Sequence, residues 1–114
     1  MRVLVVGAGR VGVRVVAQLR KNTRVEIVTL DPRDSPPAVR EGVIERVDYK
    51  TPLDIVEIVK VIVEVAPDLV LLTTSAADMG TTGSSGLDIF LDALNQELEA
   101  SVRVPVIAVA RSFT

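Results

Sequence analysis

The feature that most constrains the fold is the run Gly7-Ala8-Gly9-Arg10-Val11-Gly12, a G-x-G-x-x-G pattern close to the N-terminus. It follows a short apolar run, Val3–Val6, and it opens Arg10–Lys21, in which polar residues recur at helical spacing. Glycines at this spacing let a strand turn tightly into a helix whose first amides face an anion. The pattern therefore predicts a strand–helix unit at the start of an α/β sheet.

The rest of the chain also alternates between strand-like and helix-like segments. Strands that are apolar on both faces and separated by helices are typical of a parallel sheet covered on two sides. Right-handed crossovers then favour a single doubly wound, five-stranded Rossmann-like sheet in the order 3-2-1-4-5, with helices on both faces. The predicted strands are Val3–Val6, Arg24–Leu30, Val43–Val47, Asp68–Thr73 and Pro105–Ala110, and the predicted helices are Arg10–Lys21, a short one between Ser35 and Gly42, Leu53–Ala66 and Leu87–Ala100.

Composition excludes several classes of function. The 114 residues fit one domain, predicted to span residues 1–114, and the net charge of −2 offers no basic surface for nucleic acid. With no Cys and no His, the chain has no disulfide, no thiolate or imidazole metal ligand and no His-based acid–base catalyst. The longest apolar stretch, Leu53–Ala66, carries four charges and is too short to span a membrane. We expect a cytoplasmic protein that does not insert into membranes, with neither catalytic residues nor a metal site.

The three glycines of the pattern have separate physical roles. Gly7 permits the tight turn, Gly9 lets the backbone approach a pyrophosphate, and Gly12 lets the helix press on the strand. The amides of Arg10 and Val11 would point at the phosphates with the positive end of the helix dipole behind them. The alternative interpretation is that these glycines only form a close turn between strand and helix.

An acidic residue stands at the distance expected of a dinucleotide site. Asp31 ends the second predicted strand, 19 residues after Gly12, where a carboxylate can accept the hydroxyl pair of a ribose. A carboxylate here favours NAD over NADP, because the 2′-phosphate of NADP would be repelled. Arg33 lies two residues further on and could blur this choice, although we interpret it as a solvated loop arginine. The predicted ligand is therefore NAD, with NADH, ADP or ATP as alternatives.

The segment from Met1 to Gly12, together with Asp31 after the second strand and Asp48 after the third, resembles the TrkA-N (RCK N-terminal) domain. That family consists of cytoplasmic Rossmann domains that regulate potassium channels and transporters. The resemblance implies that Asp31 takes the ribose and that Asp48 lies near the adenine edge, although Asp48 could equally be a turn residue at a strand end. It also implies that the phosphates are cradled by Gly7, Gly9, Arg10 and Val11.

The chain departs from the family pattern in two places. Val47 stands where the family usually has a glycine before the acid. After the fourth strand the family has a short acidic loop, whereas this chain has Thr73-Thr74-Ser75 and then a segment rich in Gly, Ser and Thr, Ala76–Gly86. Because strands of a parallel sheet deliver their ends to one edge, Thr73 and Thr74 are candidate contacts for a phosphate or a nicotinamide ribose. Ala76–Gly86 is predicted to be an irregular loop there, either a lid or a surface excursion.

Together these features favour a non-catalytic regulatory module that binds NAD(H) or an adenine nucleotide. The wide apolar face of Leu53–Ala66 suggests a homodimer, and the partner would be a membrane ion transporter or a separate regulatory subunit. The main alternative is an NAD-dependent oxidoreductase, or a fragment or subunit of one. Tyr49 and Lys50 are adjacent and so cannot form the Tyr–Lys pair that short-chain dehydrogenases place on one helix face. The third hypothesis is a structural Rossmann domain that has lost its ligand.

Overall fold

The computed structural model, which describes residues 1–74, 93–94 and 96–109, contains a five-stranded sheet. All four strand pairings are parallel and the order is β3-β2-β1-β4-β5, which confirms the predicted doubly wound Rossmann-like topology. The strands are β1 (Arg2–Val6), β2 (Glu26–Asp31), β3 (Tyr49–Lys50), β4 (Leu69–Leu72) and β5 (Val106–Ala108).

Helices connect these strands as the sequence predicts. They are α1 (Arg10–Leu19), α2 (Pro37–Arg40) and α3 (Ile55–Val65), and residues 93–94 and 96–101 are also helical. The remainder of the predicted helix Leu87–Ala100 and the predicted loop Ala76–Gly86 lie outside the described residues. None of the helices in the described part of the chain is long and apolar enough to cross a bilayer.

The helix α3 forms although most of its residues are Ile and Val, which favour strands. Its start is held by Asp54, whose carboxylate accepts the amides of Val56 at 2.8 Å and Glu57 at 3.4 Å. Its end is marked by Ala66, which adopts the left-handed conformation with φ 51°. A strong cap and burial of one face together outweigh the β propensity of the individual residues.

The core lies on both faces of the sheet. Alternate residues of β1 point to opposite sides, because side chains in a strand alternate with period two. Leu4 and Val6 pack with α3 and with Leu98, whereas Val3 and Val5 pack with α1. Helices therefore cover both faces, as the apolar character of the strands predicts.

The predicted third strand, Val43–Val47, is wrong. The amides of Val43 and Ile44 both donate to the carbonyl of Ala38, at 3.0 and 3.2 Å, so they are not available to a sheet ladder. Their side chains pack on the α1 side of the sheet, and Arg20 of the α1 C-terminus donates to the carbonyl of Val43. The β-branched Val43 and Ile44 are half-buried against this side of the sheet, but they do not pair with a strand. The strand itself starts later, at Tyr49.

Candidate functional site

The carboxyl ends of β1 and β4 are joined by hydrogen bonds around Gly7. Gly7 has a φ of +102°, which favours glycine, and its amide donates to the carbonyl of Leu30 at 2.6 Å. The amide of Thr73 donates to the carbonyl of Val6 at 2.9 Å, and its hydroxyl donates to Val6 and Gly7 carbonyls at 3.0 and 2.8 Å. The first turn of the glycine pattern is thus fastened to the two neighbouring strands.

Gly7 and Gly12 are glycines for reasons of packing. A Cβ on Gly12 would lie 3.0 Å from the carbonyl carbon of Gly7 and closer still to its oxygen, and these are backbone atoms that cannot move aside. A Cβ on Gly7 would lie 2.5 Å from Oγ1 of Thr74 and 2.8 Å from Oγ1 of Thr73. Gly12 lets α1 approach the strand closely, as the sequence predicts, and Gly7 also lets the residues after β4 approach the turn.

Gly9 is different, because its backbone conformation does not require glycine. It is the N-cap of α1 with φ −84° and ψ −151°, an extended conformation that other residues also adopt. Having no side chain, it supplies no acceptor for the amides that begin α1. The structure places Gly9, Arg10 and Val11 at the carboxyl edge of the sheet, where the sequence expects a phosphate group.

Asp31, the last residue of β2, is buried at 1% exposure, and its carboxylate is fully engaged. One oxygen, Oδ1, accepts the amide and the Nε of Arg33, both at 2.9 Å. The other, Oδ2, accepts the amide of Ala8 and the Nη2 of Arg33, at 2.8 and 2.9 Å. The predicted ribose acceptor therefore lies at the expected edge but is bonded to residues of this chain.

The surroundings of Asp31 hold its pKa below the ordinary value. Burial opposes ionisation and would raise the pKa. The hydrogen bonds from the Arg33 side chain and from the amides of Ala8 and Arg33, together with the Arg33 charge, outweigh burial and lower it. Asp31 is consequently an anion at neutral pH, held by partners that stabilise its charge.

Arg33 is not the solvated loop arginine that the sequence suggests. Its guanidinium binds Asp31 through two nitrogens in an ion pair, and its side chain retains 38% exposure. The spacing Asp-x-Arg at the end of a strand could have indicated this ion pair, because an arginine two residues after the acid can fold back over the strand end. The sequence pattern draws attention to Arg33 but does not by itself place it in the site.

The amide of Ala8 and the short helix α2 also position the glycine turn. The Ala8 amide binds Asp31, and the Ala8 carbonyl accepts the amide of Ala38 in α2 at 3.0 Å. Both backbone groups of Ala8 are therefore satisfied, the amide by the last residue of β2 and the carbonyl by α2. This role of Ala8 was not predicted, since nothing in the local sequence pattern marks an alanine as a junction.

Asp48 lies before β3, not after it, so the expectation that it follows the third strand is wrong. Its carboxylate accepts the amide and hydroxyl of Thr29 at 2.9 and 3.1 Å, and its amide donates to the Thr29 hydroxyl at 3.1 Å. These bonds replace a ladder pair at the beginning of the short strand. Asp48 is thereby separated from the carboxyl edge of the sheet. Its contact with adenine stays a prediction, and none of its hydrogen bonds supports it.

Thr73 and Thr74 lie beside the glycine turn, as predicted, but they differ in how their hydroxyls are used. The Thr73 hydroxyl is buried and bonded to the backbone of β1 and its turn. The Oγ1 of Thr74 is buried and has no hydrogen-bond partner within the described part of the chain. Since buried hydroxyls are normally bonded, Thr74 is the better candidate for a ligand contact. Among the described residues, no cluster of acidic side chains suits a metal ion.

Comparison with known proteins supports the fold alone. No family model matches the chain, and no curated protein matches it. Among solved structures it is similar to a glycinamide-RNase-transformylase T from Mycobacterium tuberculosis, with 21% sequence identity and a TM-score of 0.56. The match covers 94% of this chain but 26% of that one, so this chain spans about a quarter of the length of its structural neighbour. None of these findings supports the resemblance to the TrkA-N domain.

Proposed function

We propose that this chain is a non-catalytic module that binds an adenine nucleotide or dinucleotide by its phosphates at the glycine turn. The observation that carries the proposal is the conformation of Gly9. Packing within the chain requires Gly7 and Gly12, but the φ of −84° at Gly9 does not require glycine. A glycine at the N-cap of α1 serves a ligand whose phosphate must approach the backbone closely.

A regulatory role is favoured over a catalytic one by the chemistry of the chain. It has no His and no Cys, which are the commonest acid–base and nucleophilic groups at neutral pH. Binding of NAD(H), ADP or ATP would then act by changing the state of a partner. That partner, by the resemblance of the glycine segment to TrkA-N domains, would be a membrane ion transporter or a separate regulatory subunit.

The helix α3 provides a surface on which such a module could form a homodimer. Val56 and Val63 are among its most exposed apolar residues, at 58% and 75% exposure. Val59 lies between them on the same side of the helix but packs partly against the core. An exposed apolar ridge at helical spacing suits a second copy of the same helix.

A second candidate function is a nucleotide- or substrate-binding part of a larger enzyme. The observation in its favour is the fold similarity to the transformylase, which extends over 94% of this chain but about a quarter of the other. In such an assembly the glycine turn would hold a phosphate while other segments supply the chemistry. An NAD-dependent oxidoreductase, or a subunit of one, belongs to the same class.

Calorimetric titration of the purified chain tests the primary proposal. The ligands are NAD, NADH, NADP, ADP, ATP and S-adenosylmethionine, and the variant is Gly9→Val. Because the φ of Gly9 suits other residues, the variant should keep its circular dichroism spectrum while losing at least tenfold in affinity. The control is Ala17→Val, which adds the same kind of bulk on the exposed face of α1.

Equal affinity of the Gly9→Val variant and the wild type would remove the glycine turn from the binding site. Hydride exchange between a bound nicotinamide cofactor and a second substrate would instead favour the oxidoreductase alternative.

A further inference from the structure

The two faces of β4 differ in how well they are covered. Val70 and Leu72 point to the α3 side of the sheet and are buried. Leu69 and Leu71 point to the α1 side and are half-exposed. Strands inside a parallel sheet are normally covered on both faces, as β1 is. The α1 side of β4 therefore has apolar surface that the described residues do not bury.

This surface continues onto the neighbouring strand β5. Ile107 is paired in register with Leu71, so its side chain points to the same side of the sheet, and it is 51% exposed. Val109, which follows β5, is half-buried on that side. Together the four apolar side chains form the β4–β5 strip, which consists of Leu69, Leu71, Ile107 and Val109.

The hand of the connections explains why the described helices leave the β4–β5 strip open. Right-handed crossovers place α1 over β1 and β2, and they place the helices that precede β4 and β5 on the opposite face. In agreement, α3 and Leu98 of the helix before β5 pack on that opposite face. The strip consequently lies beside α1 without a helix of the described residues above it.

The dimensions of the β4–β5 strip suit one α-helix. Neighbouring strands lie about 4.8 Å apart, so two strands present a band about 10 Å wide. An α-helix with its side chains has roughly the same diameter, and neighbouring helices pack with about 8–10 Å between their axes. A helix on the strip would therefore contact the flank of α1 as well as the sheet.

The flank of α1 that borders the strip carries positive charge. Arg20 lies on the other flank, because its guanidinium reaches the carbonyl of Val43, in the segment between β2 and β3. At about 100° per residue, Gln18 lies on the flank away from Arg20, and Arg14 and Lys21 lie beside it along the outer edge. All three of these side chains are exposed.

No acidic residue balances this charge locally. The chain has no Asp or Glu between Arg2 and Arg24. Neither Arg14 nor Lys21 forms an ion pair with another residue that the structure describes. An apolar band with a basic margin is complementary to a helix that is apolar on one side and acidic along one edge.

We propose that the β4–β5 strip and the adjoining flank of α1 form the docking site for an amphipathic, acidic helix of a partner protein. The apolar side of that helix covers Leu71 and Ile107, and its acidic edge pairs with Arg14 and Lys21. Since α1 begins at the glycine turn, nucleotide and partner would contact the same helix. The inference rests on the proposed regulatory function, for which it names the surface that contacts the partner.

Fluorescence anisotropy of labelled synthetic peptides with the full chain tests the docking site. The first peptide is an amphipathic helix of about 18 residues, with Leu at positions i, i+3, i+4 and i+7 and Glu beside them. The second peptide is identical except that Lys replaces each Glu. We expect the acidic peptide to bind roughly tenfold more tightly than the basic one.

Two variants and a matched control locate the binding. Ile107→Glu places a charge in an exposed part of the strip and should weaken binding of the acidic peptide roughly tenfold or more, with an unchanged circular dichroism spectrum. Arg14→Glu should weaken the acidic peptide and tighten the basic one, a reversal that structural damage would not produce. Val63→Glu adds the same charge at an exposed valine on the opposite face and should change neither affinity.

The outcomes separate the docking site from the proposed function. Equal affinity for the two peptides, or binding that survives Ile107→Glu, overturns the docking site. Self-association of the wild type that Ile107→Glu abolishes would assign the strip to a second copy and also overturns it. Nucleotide binding without peptide binding overturns the docking site alone, whereas peptide binding without nucleotide binding supports the site and overturns the nucleotide proposal.

Discussion

Gly12 lies against the carbonyl group of Gly7, so close that a side-chain carbon on Gly12 would overlap the carbonyl oxygen. The contact joins the first turn of α1 to the end of β1, and the same hypothetical carbon would lie 3.1 Å from the hydroxyl oxygen of Thr73. Since the atoms of Gly7 are backbone, relief requires the helix to move away from the sheet. Gly12 therefore sets the distance between α1 and the strand.

Gly12→Ala should destabilise the fold by about 1–3 kcal/mol, because overpacking outweighs the helix propensity gained from alanine. The midpoint of urea denaturation measures the change. Gly42→Ala is the matched control, since Gly42 has a φ of +75° but no atom of the described residues within 4 Å of its hypothetical Cβ. The control suffers backbone strain without overlap. A Gly12→Ala midpoint above that of the wild type would contradict the close contact.

Asp31→Asn should lower the free energy of unfolding by about 1–3 kcal/mol at pH 7, because charge-assisted hydrogen bonds are lost. The folded-state pKa of Asp31 is lowered, so the carboxylate stabilises the fold above its unfolded pKa of about 3.9. That contribution is lost as the pH falls through the lower folded-state pKa. Unfolding curves at pH 7, 4 and 2.5 should show the difference between wild type and variant narrowing with acidity. A difference independent of pH would argue against a stabilised anion.

The two threonines after β4 should differ in how much stability the protein loses when the hydroxyl is removed. Thr73→Val leaves the carbonyls of Val6 and Gly7 without the hydroxyl donor and should cost about 1–2 kcal/mol of stability. Thr74→Val removes a buried hydroxyl that has no partner among the described residues, so stability should change by less than about 0.5 kcal/mol. If Thr74 contacts the ligand, only Thr74→Val should weaken nucleotide binding without unfolding the protein. Thermal unfolding and calorimetry measure the two effects separately.

Asp48→Ala should destabilise the start of β3 by about 1 kcal/mol, because the amide of Thr29 loses its acceptor. The measurement is the denaturation midpoint, with nucleotide affinity determined on the same sample. Affinity within twofold of the wild type would eliminate the adenine contact that the family resemblance implies. A drop of tenfold or more in a folded variant would restore it.

Val63→Glu tests the proposed homodimer without disturbing the core, since Val63 is 75% exposed. We expect the variant to be folded and monomeric in sedimentation velocity experiments in which the wild type is dimeric. Val59→Glu is a poorer test, because Val59 packs against core residues and a buried carboxylate would unfold the helix. Ala17→Glu, which places the same charge on the exposed face of α1, should leave the dimer intact. A wild-type monomer would exclude this interface.

The sequence by itself determined the order of the elements, the parallel sheet and the position of the glycine turn. These follow from local patterns, namely the period of the apolar residues and the spacing of the glycines. The helix α3 could also be predicted from its length and the spacing of its charged residues, although it is rich in Ile and Val.

Only the tertiary structure decided what each polar group of the site does. The Ala8 amide and the Asp31 carboxylate are 23 residues apart, and they meet because β1 and β2 end at the same edge. The carbonyl of Ala38 accepts the amide of Val43, which is then not available to the sheet. The amide of Thr29 donates to the carboxylate of Asp48, just before β3 begins. A hydrogen-bonding group has few positions for partners, and the first partners brought near by folding occupy them. Residue type therefore shows what a side chain could bind, whereas the fold decides whether that capacity is still available.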